Sequence, residues 1–165
     1  MHLTPVSDAE YAEFAARQVA DYAEQLVRAG EVSPADSEAT VRAMLAGLLS
    51  DQLRSAGHSF FVARSALLKP RLGWVWLSPA PAFLGPQRAR IRWLSQLTVE
   101  ESVRGHGWGR ALLTATERHL AAQGVEQLWL RVFDWNTTAR SLYQAQGYEL
   151  VERFAVDAHM RKHLS

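Results

Sequence analysis

The chain has 165 residues, a formal net charge of +1 and no cysteine. A length of that order suits one domain with a continuous apolar core, and near-neutral charge offers no basic excess for a nucleic acid or an anionic membrane. Without cysteine there is no disulfide framework, no thiolate zinc site and no cysteine nucleophile. The opening MHLTPVSDAEYAEFAARQ is not a basic segment leading into an apolar run, and no stretch approaches the roughly 18 consecutive apolar residues of a spanning helix. A single domain over residues 1–165, soluble and cytoplasmic, is expected.

Before residue 60 the pattern is helical. Tyr11, Ala15, Val19, Tyr22 and Leu26 recur every three or four residues, with Asp8 as a cap and Gly30 as a stop. A second helix is predicted to open on Ser33, Pro34 and Asp36, run through Val41, Met44, Leu45 and Leu48, and end at Gly57. The period then changes: SFFVARS, LGWVWLS and ARIRWLSQLTV read as consecutive antiparallel strands, with Pro79, Pro81, Gly85 and Pro86 punctuating the second link.

Further on, Leu112, Leu113, Thr116 and Leu120 predict a helix that stops at Gly124. EQLWLRVF is a strand, TTARSLYQAQ a short helix, and YELVERF and AHMRKHL a closing pair of strands. A strand, helix, strand unit implies a parallel pair joined by a right-handed crossover. The expected class is therefore α/β, a mixed central β-sheet flanked by helices.

RGHGWGRALL, residues 104–113, places three glycines between a strand end and a helix start. Amides at a helix N-terminus carry partial positive charge and suit phosphate oxygens; glycine at 105, 107 and 109 clears the approach and permits positive φ. Arg104 and Arg110 add charged donors. The Gly-Lys-Ser/Thr of a P-loop is absent, and Gly105, Gly107 and Gly109 lack the spacing of a dinucleotide-binding fingerprint. A plain glycine-rich turn with two solvated arginines is the structural alternative.

Arg104, Gly107 and Gly109, followed by Leu112 and Leu113, resemble the Arg/Gln-x-x-Gly-x-Gly/Ala signature of the GCN5-related N-acetyltransferase (GNAT) family. A second segment, NTTARSLYQAQGYE, is similar to another run of that family through Asn136, Ala139, Tyr143, Gly147 and Tyr148. The two occur in the family's order, separated by one helix and one strand.

The resemblance implies a GNAT-like acyl-CoA N-acyltransferase fold, with acetyl-CoA as cosubstrate and an amine acceptor; the histidine spacing, separately, predicts no metal. It implies that the loop Arg104, Gly105, His106, Gly107, Trp108, Gly109 and Arg110 receives the pyrophosphate. It further implies that Leu97, Thr98 and Val99 line the pantetheine arm through their main chain, that Asn136 and Ala139 adjoin the cofactor, and that Tyr143 protonates the departing sulfur. A phenol suits that task because its ordinary pKa is about 10.

Tyr143 also reads as a core residue and Asn136 as a helix cap. The central strand, IRWLSQLTV, lacks the glutamate several family members use as a base. Asp134, at the end of the next strand, is the candidate offered by position; Glu100 and Glu101 read as solvated turn residues, and a water or a neutral amine would serve equally. Trp74, Trp76, Trp93, Trp129 and Trp135 read as core and rim, and His58, His106, His119, His159 and His163 lack metal-ligand spacing. The function expected is acetyl transfer to a primary amine by direct attack in a ternary complex, against the alternative of a non-catalytic acyl-CoA-binding regulatory module. Dimers are common in the family, so a homodimer is compatible with this reading.

Overall fold

A computed structural model describes residues 1–65 and 71–165. The chain divides into two compact units, Val6–Ala56 and Met1–Pro5 with Gly57–Ser165. No described helix is long and apolar enough to cross a membrane.

The smaller unit holds α1 (Asp8–Arg28) and α2 (Ser37–Leu48). Ser7, one residue ahead of the expected Asp8, caps α1: it accepts from the Glu10 amide while Glu10 accepts from its own amide at 3.0 Å. This reciprocal pairing satisfies two otherwise orphaned donors. Ser33, Pro34 and Asp36 form a turn before α2 rather than its first turn, with Ser33 Oγ donating to Asp36 Oδ2 at 2.6 Å. The helix stops at Leu48, well short of Gly57, and a short 3-10 turn, Gln52–Arg54, follows. Val19, Ala23 and Leu26 of α1 pack with Val41 of α2.

The larger unit is a seven-stranded sheet: β1 (His2–Pro5), β2 (Ser59–Arg64), β3 (Arg71–Pro79), β4 (Ile91–Val99), β5 (Gln127–Phe133), β6 (Glu149–Arg153) and β7 (Asp157–His163). Their spatial order is β1-β2-β3-β4-β5-β7-β6. β1 falls in a region whose pattern reads as helical; four residues ending in Pro5 are too few to show alternation, and pairing with β2 from His2↔Arg64 to Pro5↔Phe61 makes them a strand. Among the described residues the pairings are antiparallel except β4 with β5, which are joined through α3 (Trp108–Ala121). The link between β3 and β4 is folded as 3-10 turns over Ala82–Arg90.

On one face of the sheet Val75, Leu77, Leu94, Leu128, Leu130 and Met160 pack with Leu112, Leu113 and Leu120 of α3 and Tyr143 of α4 (Thr137–Ala145). Each fully buried leucine contributes about 2 kcal/mol. On the other face Ile91, Trp93 and Trp129 pack with Ala80 and with Leu84 of the 3-10 link.

Two local features shape the centre of the sheet. Opposite β3, Trp76 pairs with Gln96 and Leu77 with Leu94, which leaves Ser95 as an extra residue on β4. Such a bulge bends its strand. The pairing of β4 with β5 runs from Ile91↔Gln127 to Leu94↔Leu130, and the next residue of β4 is that bulged serine. The two strands part there. The second feature is Gly73, where a Cβ would lie 2.3 Å from the carbonyl oxygen of Thr98; only glycine lets β3 hold β4 this closely.

Candidate active site

The parting of β4 and β5 leaves the end of β4 with an edge unpaired toward β5. Glu100 donates its amide to the carbonyl of Leu72 at 2.9 Å. Antiparallel ladders alternate, so Thr98 and Gln96 also turn their main-chain groups to β3, and Leu97 and Val99 turn theirs to the side that β5 has left. The side chains of Leu97 and Val99 meanwhile pack against the core. Thr98 Oγ1 accepts from Gln96 Nε2 at 2.6 Å.

Beyond Val99 a single 3-10 turn, Glu101–Val103, leads into the glycine loop. Gly105 and Gly107 have φ of 82° and 78°, the left-handed region, and a Cβ on either would meet nothing within 4 Å. Gly107 is the N-cap of α3 and supplies no side chain to its amides. Among the described residues, the amides from Gly105 to Arg110 have no hydrogen-bond acceptor; the first one engaged is Ala111, whose amide donates to Gly107 at 3.2 Å. The result is a row of unpartnered donors at a positive helix end.

Gly109 plays a different part. It sits inside the first turn of α3, where a Cβ would be 3.4 Å from Leu142 of α4 and 3.8 Å from Val99, so its smallness serves close packing between elements. Trp108 is half-buried against the core, and Arg110 is exposed. His106 Nδ1 pairs with the carbonyl of Arg104 at 2.8 Å, and Arg104 Nε donates to the carbonyl of Val99 at 3.1 Å. The loop is thereby tied back onto the strand that precedes it.

Asn136 caps α4, its Oδ1 accepting from the Ala139 amide at 3.2 Å, and Ala139 packs against the core. Tyr143 lies one turn on, 8% exposed, with its ring 5.5 Å from that of Tyr148. Burial pushes its phenol up to about 12, so it carries its proton throughout the physiological range.

Asp134 follows β5 directly, and its Oδ1 accepts from Arg140 of α4 at 3.0 Å and from Arg153 of β6 at 3.1 Å. Glu100, which reads in the sequence as a solvated turn residue, is instead held by Arg71 Nε at 2.7 Å and Trp74 Nε1 at 2.8 Å. Trp74, Trp76 and Trp129 are buried; Trp135 stacks on Phe133 at 4.5 Å.

Comparison with known proteins fits this geometry. Residues 31–148 match the model of the acetyltransferase (GNAT) family. The N-acetyltransferase YycN of Bacillus subtilis is 28% identical over 147 residues, which span 89% of this chain and 91% of that protein. Its crystal structure superposes with a TM-score of 0.84 over 93% of this chain and 94% of that one, at 27% identity. The PaiA N-acetyltransferase of Thermoplasma acidophilum, solved with coenzyme A, shares the fold with a TM-score of 0.70 at 18% identity, covering 98% of each chain. Gly105, Gly107 and the parting of β4 from β5 thus sit in a chain that belongs to the GNAT family of acetyltransferases.

Proposed function

We propose that this acyltransferase moves the acetyl group of acetyl-CoA to a primary amine by direct attack in a ternary complex. The observation that carries the reading is the row of unpartnered amides from Gly105 to Arg110, beside the cleft between β4 and β5. In this reading those amides take the pyrophosphate oxygens, with His106 and Trp108 flanking them and Arg104 and Arg110 adding charge. The main chain of Leu97 and Val99, with Thr98 between, pairs with the pantetheine arm and polarises the thioester carbonyl as negative charge develops on its oxygen. Asn136 and Ala139 border the arm at the start of α4. That the PaiA structure was solved with coenzyme A supports the same donor here.

Tyr143 is assigned as the acid. A phenol held protonated by burial gives its proton to the coenzyme A thiolate as the carbon–sulfur bond breaks. Asp134 is the carboxylate candidate for the amine's proton, with Oδ2 clear of its two ion pairs on Oδ1. The chain contains no cysteine to carry an acyl-enzyme, which favours direct transfer.

A second reading, a non-catalytic acyl-CoA-binding module, draws on the absence of any carboxylate from β4. Thiol release from acetyl-CoA with a panel of primary amines separates the two. Amine-dependent release with an acetylated product supports transfer; tight binding with no release for any amine supports the module.

A further inference from the structure

An acceptor ammonium must lose a proton before its nitrogen can attack. β4 carries neither carboxylate nor imidazole, and a proton on Asp134 would weaken its hold on Arg140 and Arg153. The sheet face opposite α3 and α4 offers a different group. His159 of β7 lies directly across from Arg131, the first residue of β5 beyond its last pairing with β4. Its ring stands 5.2 Å from that of Trp93, at 90°, and Trp93 is one residue before the point where β4 leaves β5. The imidazole therefore reaches over β5 to the level where the cleft opens.

Aromatic groups from three separate segments enclose it. Phe83 of the 3-10 link stacks on it at 5.5 Å with planes 7° apart, Phe154 of the β6–β7 turn meets it at 4.8 Å and 65°, and Trp93 closes the third side. Nδ1 is buried without a hydrogen-bond partner, which leaves Nε2 as the nitrogen able to exchange a proton. Phe83 and Phe154 are 60% and 42% exposed, so two apolar rings face solvent beside it. Exposed apolar rings grouped around a polar atom give a surface on which an apolar ligand with a polar end can dock.

We infer that His159 takes the proton of the acceptor ammonium, in a corner where Phe83, Trp93 and Phe154 receive the apolar body of the amine. This rests on the acyl-transfer reading above and replaces Asp134 as its base. An N–H bond of the ammonium breaks as Nε2–H forms, and the freed lone pair attacks the thioester carbon. The carbon–sulfur bond then breaks and the thiolate takes the Tyr143 proton. The second proton released from nitrogen, as the amide forms, replaces the one Tyr143 gave, and His159 returns its own to solvent.

The charge around the ring is mixed. Asp157 and Glu152 favour the imidazolium, while Arg131 disfavours it and Arg161 lies two residues along β7 on the same face. Arg131 is itself paired with Asp157 at 2.5 Å. Burial outweighs the carboxylates and brings the imidazole below its usual range, which leaves it neutral and able to accept a proton at pH 7.

Two measurements test the inference. Nuclear magnetic resonance of histidine-labelled protein, with His159→Gln identifying the signal, is expected to show the His159 ring neutral at pH 7 with its proton on Nδ1. A charged ring there, or a proton on Nε2, overturns the inference whatever the enzyme does. In thiol release with benzylamine, tyramine, spermidine and an alanyl peptide, His159→Gln is expected to lose roughly 100-fold in kcat/KM at pH 7. The loss should shrink as the pH approaches that of the free amine, with coenzyme A affinity unchanged, and Phe83→Ala should raise KM more than it lowers kcat. A His159→Gln variant with wild-type kcat/KM across the pH range overturns the inference alone. A protein that binds coenzyme A yet acetylates no amine overturns it together with amine transfer; failure to bind coenzyme A overturns it together with the donor site, whereas loss of the histidine prediction in a protein that acetylates amines overturns the inference and leaves acyl transfer standing.

Discussion

Arg104 donates from Nε to the main-chain carbonyl of Val99 across 3.1 Å, fastening the glycine loop to the end of β4. One side chain thus orders the loop and brings a positive charge beside its amides. Arg104→Ala removes both effects, and coenzyme A affinity is expected to fall about tenfold, ~1.4 kcal/mol. Arg104→Lys should restore only part, because a lysine has no fork with which to bond Val99 and present a second donor. Titration calorimetry of both variants checks this.

Gly107 is left-handed at φ 78° in open space, so its demand for glycine is conformational rather than steric. Gly107→Ala is expected to cost about 1 kcal/mol of stability, read as a lower urea midpoint with an unchanged slope. A midpoint equal to that of the native protein would show that the loop relaxes to another conformation.

At Gly73 the demand is steric. A methyl group 2.3 Å from the Thr98 carbonyl must push β3 and β4 apart. Gly73→Ala should destabilise by roughly 2 kcal/mol and weaken coenzyme A binding as well, because the strand it displaces is the one that lines the cleft. Loss of stability with undiminished affinity would uncouple the strand from the site.

Tyr143 provides a pH signature. Its phenol ionises near 10 when unfolded and near 12 in the fold, because burial penalises the phenolate. Above pH 10 the unfolded chain therefore binds fewer protons than the native one, and stability falls as pH rises toward 12. In Tyr143→Phe that part of the alkaline loss should be absent, while kcat drops by roughly 100-fold. Urea melts at pH 8 and pH 11, with thiol release at pH 8, measure the two effects separately.

Much of this was legible in residue patterns, for identifiable reasons. The helix after RGHGWG and the strands from SFFVARS onward carry periodicities set by their own residues. The pattern points to a cap one residue late because Ser7 and Asp8 are adjacent and both suit the position. β1 escaped because its strand character comes from pairing with β2 some sixty residues away. The cleft arises from the extra residue Ser95, a property of register that composition does not carry. Likewise Glu100 looked solvated until β3 brought Arg71 and Trp74 to it, and the ring of His159 was unremarkable until Phe83, Trp93 and Phe154 converged on it from three segments.

The most direct test of the donor site is calorimetric titration of the native chain and Gly107→Glu with coenzyme A and acetyl-CoA. The variant places a side chain in the open space beside Gly107 and brings a negative charge to the loop that would hold the phosphate oxygens. Binding by the native protein, weakened at least 100-fold in a variant that still folds, is the predicted result. Equal affinity in the two proteins, or none in either, would contradict the assignment of these amides to the cofactor.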